Sequence, residues 1–210
     1  MKSYEKLLLS NKVWAKNINE TNPQYFEVLS KSQSPEFLWI GCADSRVPAD
    51  QVTDTSPGEI FVHRNVANLV VHTDINLLSV LQYAVEVLKV KHILVVGHYE
   101  CGGIKAAMGN KDLGIINKWL RNIKDVIKKN EEELDKILDE DKKFKRVVEL
   151  NVKEQVKNLA ETSIVQRSWQ TSEYPHLHGW VMDLGTGLIN PIYDINSVDQ
   201  IDPIYRYDYS

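Results

Sequence analysis

Apolar residues fall along this chain in two periods. Phe37-Leu38-Trp39-Ile40 is a short, unbroken apolar run that stops at Gly41. Ile60-Phe61-Val62 is a second run, and Ile93-Leu94-Val95-Val96 a third that stops at Gly97. Runs of this length, two of them closed by glycine, predict strands buried on both faces, the habit of parallel sheets. Between the second and third, from Asp74 to Val90, the residues Ile75, Leu78, Val80, Leu81, Ala84, Val85 and Leu88 recur at helical spacing. Thr73 or Asp74 stands where a cap is needed. Strand, helix, strand in that order predicts a parallel βαβ unit. Leu113–Ile127 and Val147–Ile164 read as two further helices. Trp180-Val181-Met182 reads as another strand, with Gly185-Thr186-Gly187 as the turn into its partner.

The start of the chain reads as helical too. Leu8, Val13 and Trp14 supply an apolar side, and Asn22-Pro23 predicts a second helix with Asn as N-cap and Pro in first position. The stretch Lys128–Arg146 is dense in charge of both signs and reads as a solvated helical face carrying i,i+4 pairs. No repeat, low-complexity tract or Pro/Gly-rich linker divides the chain. The expectation is an α/β fold: a central, mostly parallel sheet flanked by helices, with an N-terminal helical extension, in a single domain over residues 1–210.

Composition narrows the function classes. The 210 residues are 43% hydrophobic and 26% charged, which excludes a disordered, collagenous or coiled-coil chain. A net charge of −4 argues against nucleic acid as partner, because that affinity rests on clustered Lys and Arg. No apolar run approaches the ~20 residues that span a bilayer. Leu7-Leu8-Leu9 gives way at once to Asn11 and Lys12, too short for a secretory signal. Neither membrane nor export is expected, and the default address is cytoplasmic. Cys42 and Cys101 are the only cysteines, too few for a disulfide framework or a four-cysteine metal site.

Both cysteines sit just past predicted parallel strands, where ligands of open α/β sheets collect. The first strand runs into Cys42-Ala43-Asp44-Ser45-Arg46, the second into His63-Arg64-Asn65, and the third into His98-Tyr99-Glu100-Cys101-Gly102-Gly103. His98 and Cys101, in an H-x2-C spacing, can converge on one ion, and Cys42 adds a second sulfur. Zinc takes such ligands in a tetrahedron and leaves a fourth position in catalytic sites. Asp44 can reach that ion through an oxygen, or can be held by Arg46 in a charge-assisted pair. Gly102 and Gly103 allow close backbone approach and can open a helix whose amides favour an anion. Taken singly, each feature has a plain structural reading: a packed cysteine, a surface ion pair. The joint placement at one sheet mouth is much harder to reach by accident.

Three ordered motifs carry a resemblance. Cys42-Ala-Asp44-Ser-Arg46-Val-Pro, Val62-His63-Arg64-Asn65-Val66-Ala67-Asn68 and Gly97-His98-Tyr-Glu-Cys101-Gly102-Gly103 resemble the signatures of β-class carbonic anhydrases. Trp39-Ile40-Gly41 and His178-Gly179-Trp180 extend the likeness to about Gly187. The resemblance implies Cys42, His98 and Cys101 as ligands of one Zn2+ per subunit. It implies Asp44 as the carboxylate that either fills the fourth position or pairs with Arg46. Gly102 matches a residue whose backbone lies against substrate. Gln33 matches a glutamine reaching the site from a dimer partner, and Phe61 and Tyr83 match apolar and aromatic walls of the substrate pocket. The family forms dimers or higher assemblies, so a homodimer or homotetramer is expected, with residues 1–34 packing on a partner subunit.

The activity implied is reversible hydration of carbon dioxide to bicarbonate and a proton. Zinc lowers the pKa of bound water, an effect for which carbonic anhydrase is itself the standard example, and the resulting hydroxide attacks carbon dioxide. Asp44 on the metal would shut the enzyme, whereas Asp44 on Arg46 would orient the water. Activity is therefore expected to be favoured above about pH 8. Some members bind bicarbonate at a non-catalytic pocket through a tryptophan, an arginine and a tyrosine. Trp39 and Arg64 match the first two, but Met182 stands where the tyrosine belongs and cannot donate its hydrogen bond. Two other readings use the same scaffold: hydrolysis of carbonyl sulfide or carbon disulfide, and a non-catalytic zinc or assembly protein. His63, His176 and His178 read as structural, and Tyr4, Trp119, Tyr205, Tyr207 and Tyr209 as packing or subunit surface.

Overall fold

Each apolar run becomes a strand somewhat longer than itself. The strands are β1 (Phe37–Cys42), β2 (Ile60–Asn65), β3 (His92–His98), β4 (His176–Met182) and β5 (Ile189–Ile195). They form one sheet in the order β2-β1-β3-β4-β5. The first four are parallel and β5 runs antiparallel to β4. The β4–β5 turn is the expected one: Gly187 takes φ 75° and donates its N–H to the Asp183 carbonyl. The computed structural model describes residues 2–209, and the chain divides into two compact units, Met1–Ser34 and Pro35–Ser210.

The first unit holds α1 (Ser3–Thr21) and α2 (Tyr25–Lys31), joined by an edge-to-face contact of Trp14 on Phe26. The second helix starts later than the sequence suggests. Asn22 closes α1, and Gln24, not Asn22, precedes the first turn of α2. Neither helix buries a residue.

In the second unit the helices are α3 (Ala49–Thr53), α4 (Ile75–Gln82), α5 (Gly102–Met108), α6 (Ile116–Lys129), α7 (Glu131–Leu134), α8 (Glu140–Ala160) and α9 (Ser163–Trp169). Asp74 caps α4 by accepting from the N–H groups of Asn76 and Leu77. That helix widens to a π turn over Tyr83–Leu88 before Lys89 ends it in the left-handed region. The helix expected over Val147–Ile164 begins at Glu140, about two turns earlier, and breaks at Thr162, whose hydroxyl caps α9. In the charged stretch, Arg146 pairs with Glu149 inside α8, and two further ion pairs tie α7 to its neighbours: Lys128 to Glu131 and Arg146 to Glu133. These links cross between helices because the stretch is three elements and not one continuous face.

Strand alternation divides the core in two. Leu38, Ile40, Ile93, Val95, Leu177 and Val181 face the larger cluster beneath α4, α5, α6, α8 and α9. Trp39, Leu94, Val96 and Met182 face a smaller one on the other side. Helix α8 lies unusually close to the sheet because β3 and β4 offer it glycines. A Cβ on Gly97 would sit 2.6 Å from Val152 Cγ2, and one on Gly179 would sit 3.0 Å from Val152 Cγ1. Valine cannot swing aside cheaply, since its χ1 is restricted. Gly97→Ala should therefore destabilise the protein by about 1–3 kcal/mol through overpacking, read as a lowered midpoint in urea denaturation at unchanged slope.

Candidate metal centre

Because β2 pairs on one side of β1 and β3 on the other, the chain reverses its winding direction between β1 and β3, which is where open α/β sheets bind ligands. Cys42 ends β1 and His98 ends β3. Cys101 follows one turn later, after Glu100 takes φ 61° to bring the chain back. The two sulfurs and a His98 ring nitrogen all lie within 4.8 Å of one another, and all three residues are buried. Sulfur stands 3.9 Å from sulfur. Two sulfurs on a tetrahedral zinc, each at about 2.3 Å, would stand about 3.8 Å apart.

His98 Nδ1 donates to the Tyr99 carbonyl at 2.8 Å, which leaves Nε2 as the acceptor in the neutral ring. Nε2 is fully buried and has no hydrogen-bond partner among the described residues. Cys101's hydrogen bond holds Cys42 below the usual thiol range against the cost of burial. The same contact, together with burial and the charge of Cys42, pushes Cys101 upward. One anionic sulfur is accommodated and the second is resisted. A dication beside both removes that conflict and gives Nε2 a partner, so the donor set fits a divalent metal.

The surrounding backbone is turned towards the sulfurs. N–H groups of Asp44 and Ala67 face Cys42, and those of Gly103 and Ile104 face Cys101. The glycine pair does open α5, but these first amides serve the Cys101 sulfur. Gly102 begins the helix, exposed to solvent, with nothing near the position a Cβ would take.

Asp44 rests on Arg46. Its Oδ1 accepts from Arg46 Nε at 2.9 Å and from the Arg46 backbone at 3.0 Å, while Oδ2 accepts from Nη2 at 2.7 Å. This fork holds the Asp44 carboxyl well below the usual carboxylate range. Oδ2 also lies 3.8 Å from His98 Nε2, at the edge of the cluster. Arg46 Nη2 makes a further bond to the Glu100 carbonyl, joining the two ligand loops.

Sequence reasoning missed Arg64 as part of this construction. Its Nε donates to the Cys42 carbonyl at 2.9 Å, and its Nη2 donates to the Asp44 carbonyl. The guanidinium braces the ligand loop. Trp39 Nε1 is buried without a hydrogen-bond partner among the described residues, and Met182 packs in the same small cluster in place of a phenol that could help bind an anion. Phe61 and Tyr83 meet each other, ring centroids 5.8 Å apart, but not the cluster of their own chain. Phe61 pairs with Leu38, four residues before Cys42, so it stands about 13 Å away along the sheet. Gln33 lies in the first unit and is exposed.

Fold and cluster together define an α/β protein with two sulfurs and an imidazole placed to hold a divalent metal. Comparison with known proteins gives this a family. The carbonic anhydrase family model matches residues 37–189. A carbonic anhydrase of Emericella nidulans is 47% identical over 190 residues, covering 90% of this chain and 83% of the relative. Among solved structures, a β-carbonic anhydrase of Coccomyxa in complex with acetazolamide superposes with a TM-score of 0.89 at 40% identity, covering 95% of this chain and 90% of that one. One of two tetrameric β-carbonic anhydrases of Sordaria macrospora gives 0.88 at 38%, covering 92% and 98%. The chain belongs to the β-class carbonic anhydrases, enzymes of carbon dioxide hydration.

Three other histidines of the sheet, His92, His176 and His178, stand at the opposite, amino-terminal ends of β3 and β4. His178 Nδ1 donates to Asp194 at 2.7 Å, its Nε2 meets His92 Nδ1 at 3.0 Å, and His92 stacks on Phe37. Burial first, then His178 and His176, lower the pKa of His92 from 6.5, with Lys91 adding to this and Glu36 opposing it. A lowered histidine pKa favours folding above the unfolded value, and this contribution is lost as the pH falls. Urea denaturation between pH 7.5 and 5 should show stability falling through about pH 6.5, and His92→Phe should flatten that slope.

Proposed function

We propose that Cys42, His98 and Cys101 hold one zinc ion per subunit and that Asp44 and Arg46 govern the water that reacts with carbon dioxide there. The observation that carries this reading is the convergence of three buried ligand atoms within 4.8 Å, with a carboxylate already forked onto an arginine beside them. When bound, zinc makes a water acidic enough to supply a nucleophile near neutral pH.

The chain's own groups do the rest. Arg46 fixes Asp44 through two parallel bonds and keeps the carboxylate off the fourth position. Asp44 Oδ2, which faces the cluster, accepts a hydrogen bond from the reacting water and orients it. Arg64 holds the carbonyls of Cys42 and Asp44, so the ligand and the orienting group keep their separation. The Gly102 backbone, bare of a Cβ, leaves room for substrate at the mouth.

Assembly completes the pocket. Phe61 is too far along the sheet to line its own chain's site, and Tyr83 packs against it, so as pocket walls they serve a second copy, and Gln33 belongs to the same contribution. A homodimer or homotetramer fits the helices of residues 1–34, which leave Leu7, Leu8, Val13 and Trp14 exposed. Two thiols free for a metal suit a reducing compartment such as the cytoplasm.

Stopped-flow carbon dioxide hydration on zinc-loaded protein, from about pH 6.5 to 9, should show turnover rising steeply near pH 8. A flat profile would remove the Asp44 switch. Faster turnover of carbonyl sulfide than of carbon dioxide would reassign the substrate. Arg46→Ala should lower turnover roughly 10–100-fold, since it frees Asp44 to move onto the metal. Cys101→Ala should lose zinc altogether, read by metal analysis after dialysis.

A further inference from the structure

Two of the cluster's three residues, His98 and Cys101, are separated by Tyr99 and Glu100. Glu100 is exposed, whereas Tyr99 is half-buried, its ring packed against the larger core cluster. Tyr99 is held at each of its polar groups. Its N–H donates to the Met182 carbonyl at 3.0 Å, which ties it to the end of β4. Its carbonyl accepts from His98 Nδ1 at 2.8 Å. Its phenol donates to Glu149 Oε1 at 2.9 Å, reaching a residue 50 positions later on α8. Lys145, one turn before Glu149, places its ammonium 5.2 Å from the centre of the Tyr99 ring.

Glu149 is aimed in its turn. Arg146 Nη1 donates to its second oxygen at 2.8 Å, and Arg146 Nε donates to Glu133 of α7. The carboxylate is thus divided, one oxygen for the arginine and one for the phenol. A tyrosine bonded to a helix glutamate is ordinary packing when taken alone. Two features give this one more weight. The peptide it anchors carries the acceptor of His98 Nδ1, which decides which ring nitrogen bears the proton and where Nε2 points. The next residue, Glu100, takes φ 61°, a conformation that a glutamate keeps only when its surroundings impose it. Arg46 holds the Glu100 carbonyl from the loop after β1, and Glu149 holds Tyr99 from α8, so the strained turn is clamped from two sides.

We infer that Glu149 is a positioning residue for the metal centre: by bonding the Tyr99 phenol it fixes the peptide whose carbonyl orients the His98 imidazole. This rests on the reading of His98 as a metal ligand. Without the bond the Tyr99 peptide can turn, the imidazole gains freedom, and Nε2 lies less often in the ligating direction, while all three ligands remain. Losing the direct partner of a ligating histidine costs roughly 10–100-fold in metal affinity, and a bond acting one residue further out should count for roughly 3–10-fold.

The test uses the zinc-loaded protein and two readings: the rate at which zinc passes to a chromogenic chelator, and the exchange of the His98 Nδ1 proton with solvent, followed by NMR on protein carrying 15N-labelled histidine. Tyr99→Phe keeps the ring and its packing while removing the donor, and Glu149→Ala removes the acceptor. Each should speed both processes roughly 3–10-fold, and the double variant should be no faster than the faster single one, because both act through one bond. Glu154→Ala breaks an ion pair between the same helix and Lys129, away from the loop, and should change neither reading. Unchanged rates in Tyr99→Phe would overturn the inference, as would single effects that multiply in the double variant, or an equal change in Glu154→Ala. Should Glu149→Ala not fold, Tyr99→Phe compared with Glu154→Ala decides the matter alone. Failure of the unsubstituted protein to retain zinc on dialysis would instead refute the ligand reading on which the positioning rests.

Discussion

The structure depends on placing two cysteine sulfurs 3.9 Å apart beside a buried imidazole, with almost no water in reach. Concentrated negative charge in such a place is tolerated only if dipoles and a cation surround it. Much of the local backbone answers that requirement. Two N–H groups face each sulfur, drawn from three different stretches of chain. The imidazole is tied through its other nitrogen to a carbonyl next door. The Asp44 carboxylate at the rim is neutralised by Arg46 and so adds little to the negative field.

Bringing so many backbone groups to one point strains the chain, and the strain is local. Ala67, Asn68 and Glu100 all have positive φ and all adjoin the cluster. Two of the three are held by something outside their own loop: the Ala67 carbonyl by Asn151, and the Glu100 carbonyl by Arg46. The glycines at positions 97 and 179 allow α8 close enough to do its part. The core is thus shaped around the centre, because a helix a few tenths of an ångström farther out could not reach the loop with a side chain as short as asparagine.

How far the sequence could be read follows from range. The strands were legible because a run of apolar residues closed by glycine is a local signal, and the cluster of Cys42, His98 and Cys101 because both cysteines fell at strand ends. Asp44 and Arg46, two residues apart, formed the pair that proximity suggests. What stayed hidden was long-range. Nothing near Arg64 says that its guanidinium will cap carbonyls of another strand, and nothing near Asn151 points to a loop 84 residues earlier. One clue was present: Asn151, Gln155 and Asn158 interrupt the apolar side of a helix at helical spacing, and amides at core positions need buried partners. The late break at Thr162 and the π turn after Gln82 were likewise invisible, since both leave the hydrophobic period nearly unchanged.

The same sheet that assembles the polar half of the site keeps its apolar half elsewhere. Parallel strands collect ligands at their carboxyl ends, and Cys42, His98 and Arg64 are all within a residue or so of those ends. Phe61 sits at the second position of β2, and no twist of a six-residue strand can bring its two ends together. The residues that resemblance assigns to one pocket are therefore divided by the geometry of one chain. The three side chains that could hold a metal and the Asp44–Arg46 pair beside them all come from one chain, because a single sheet fixes them at one end. An apolar wall tolerates looser placement, so in the proposed assembly it can be delegated to a neighbouring copy.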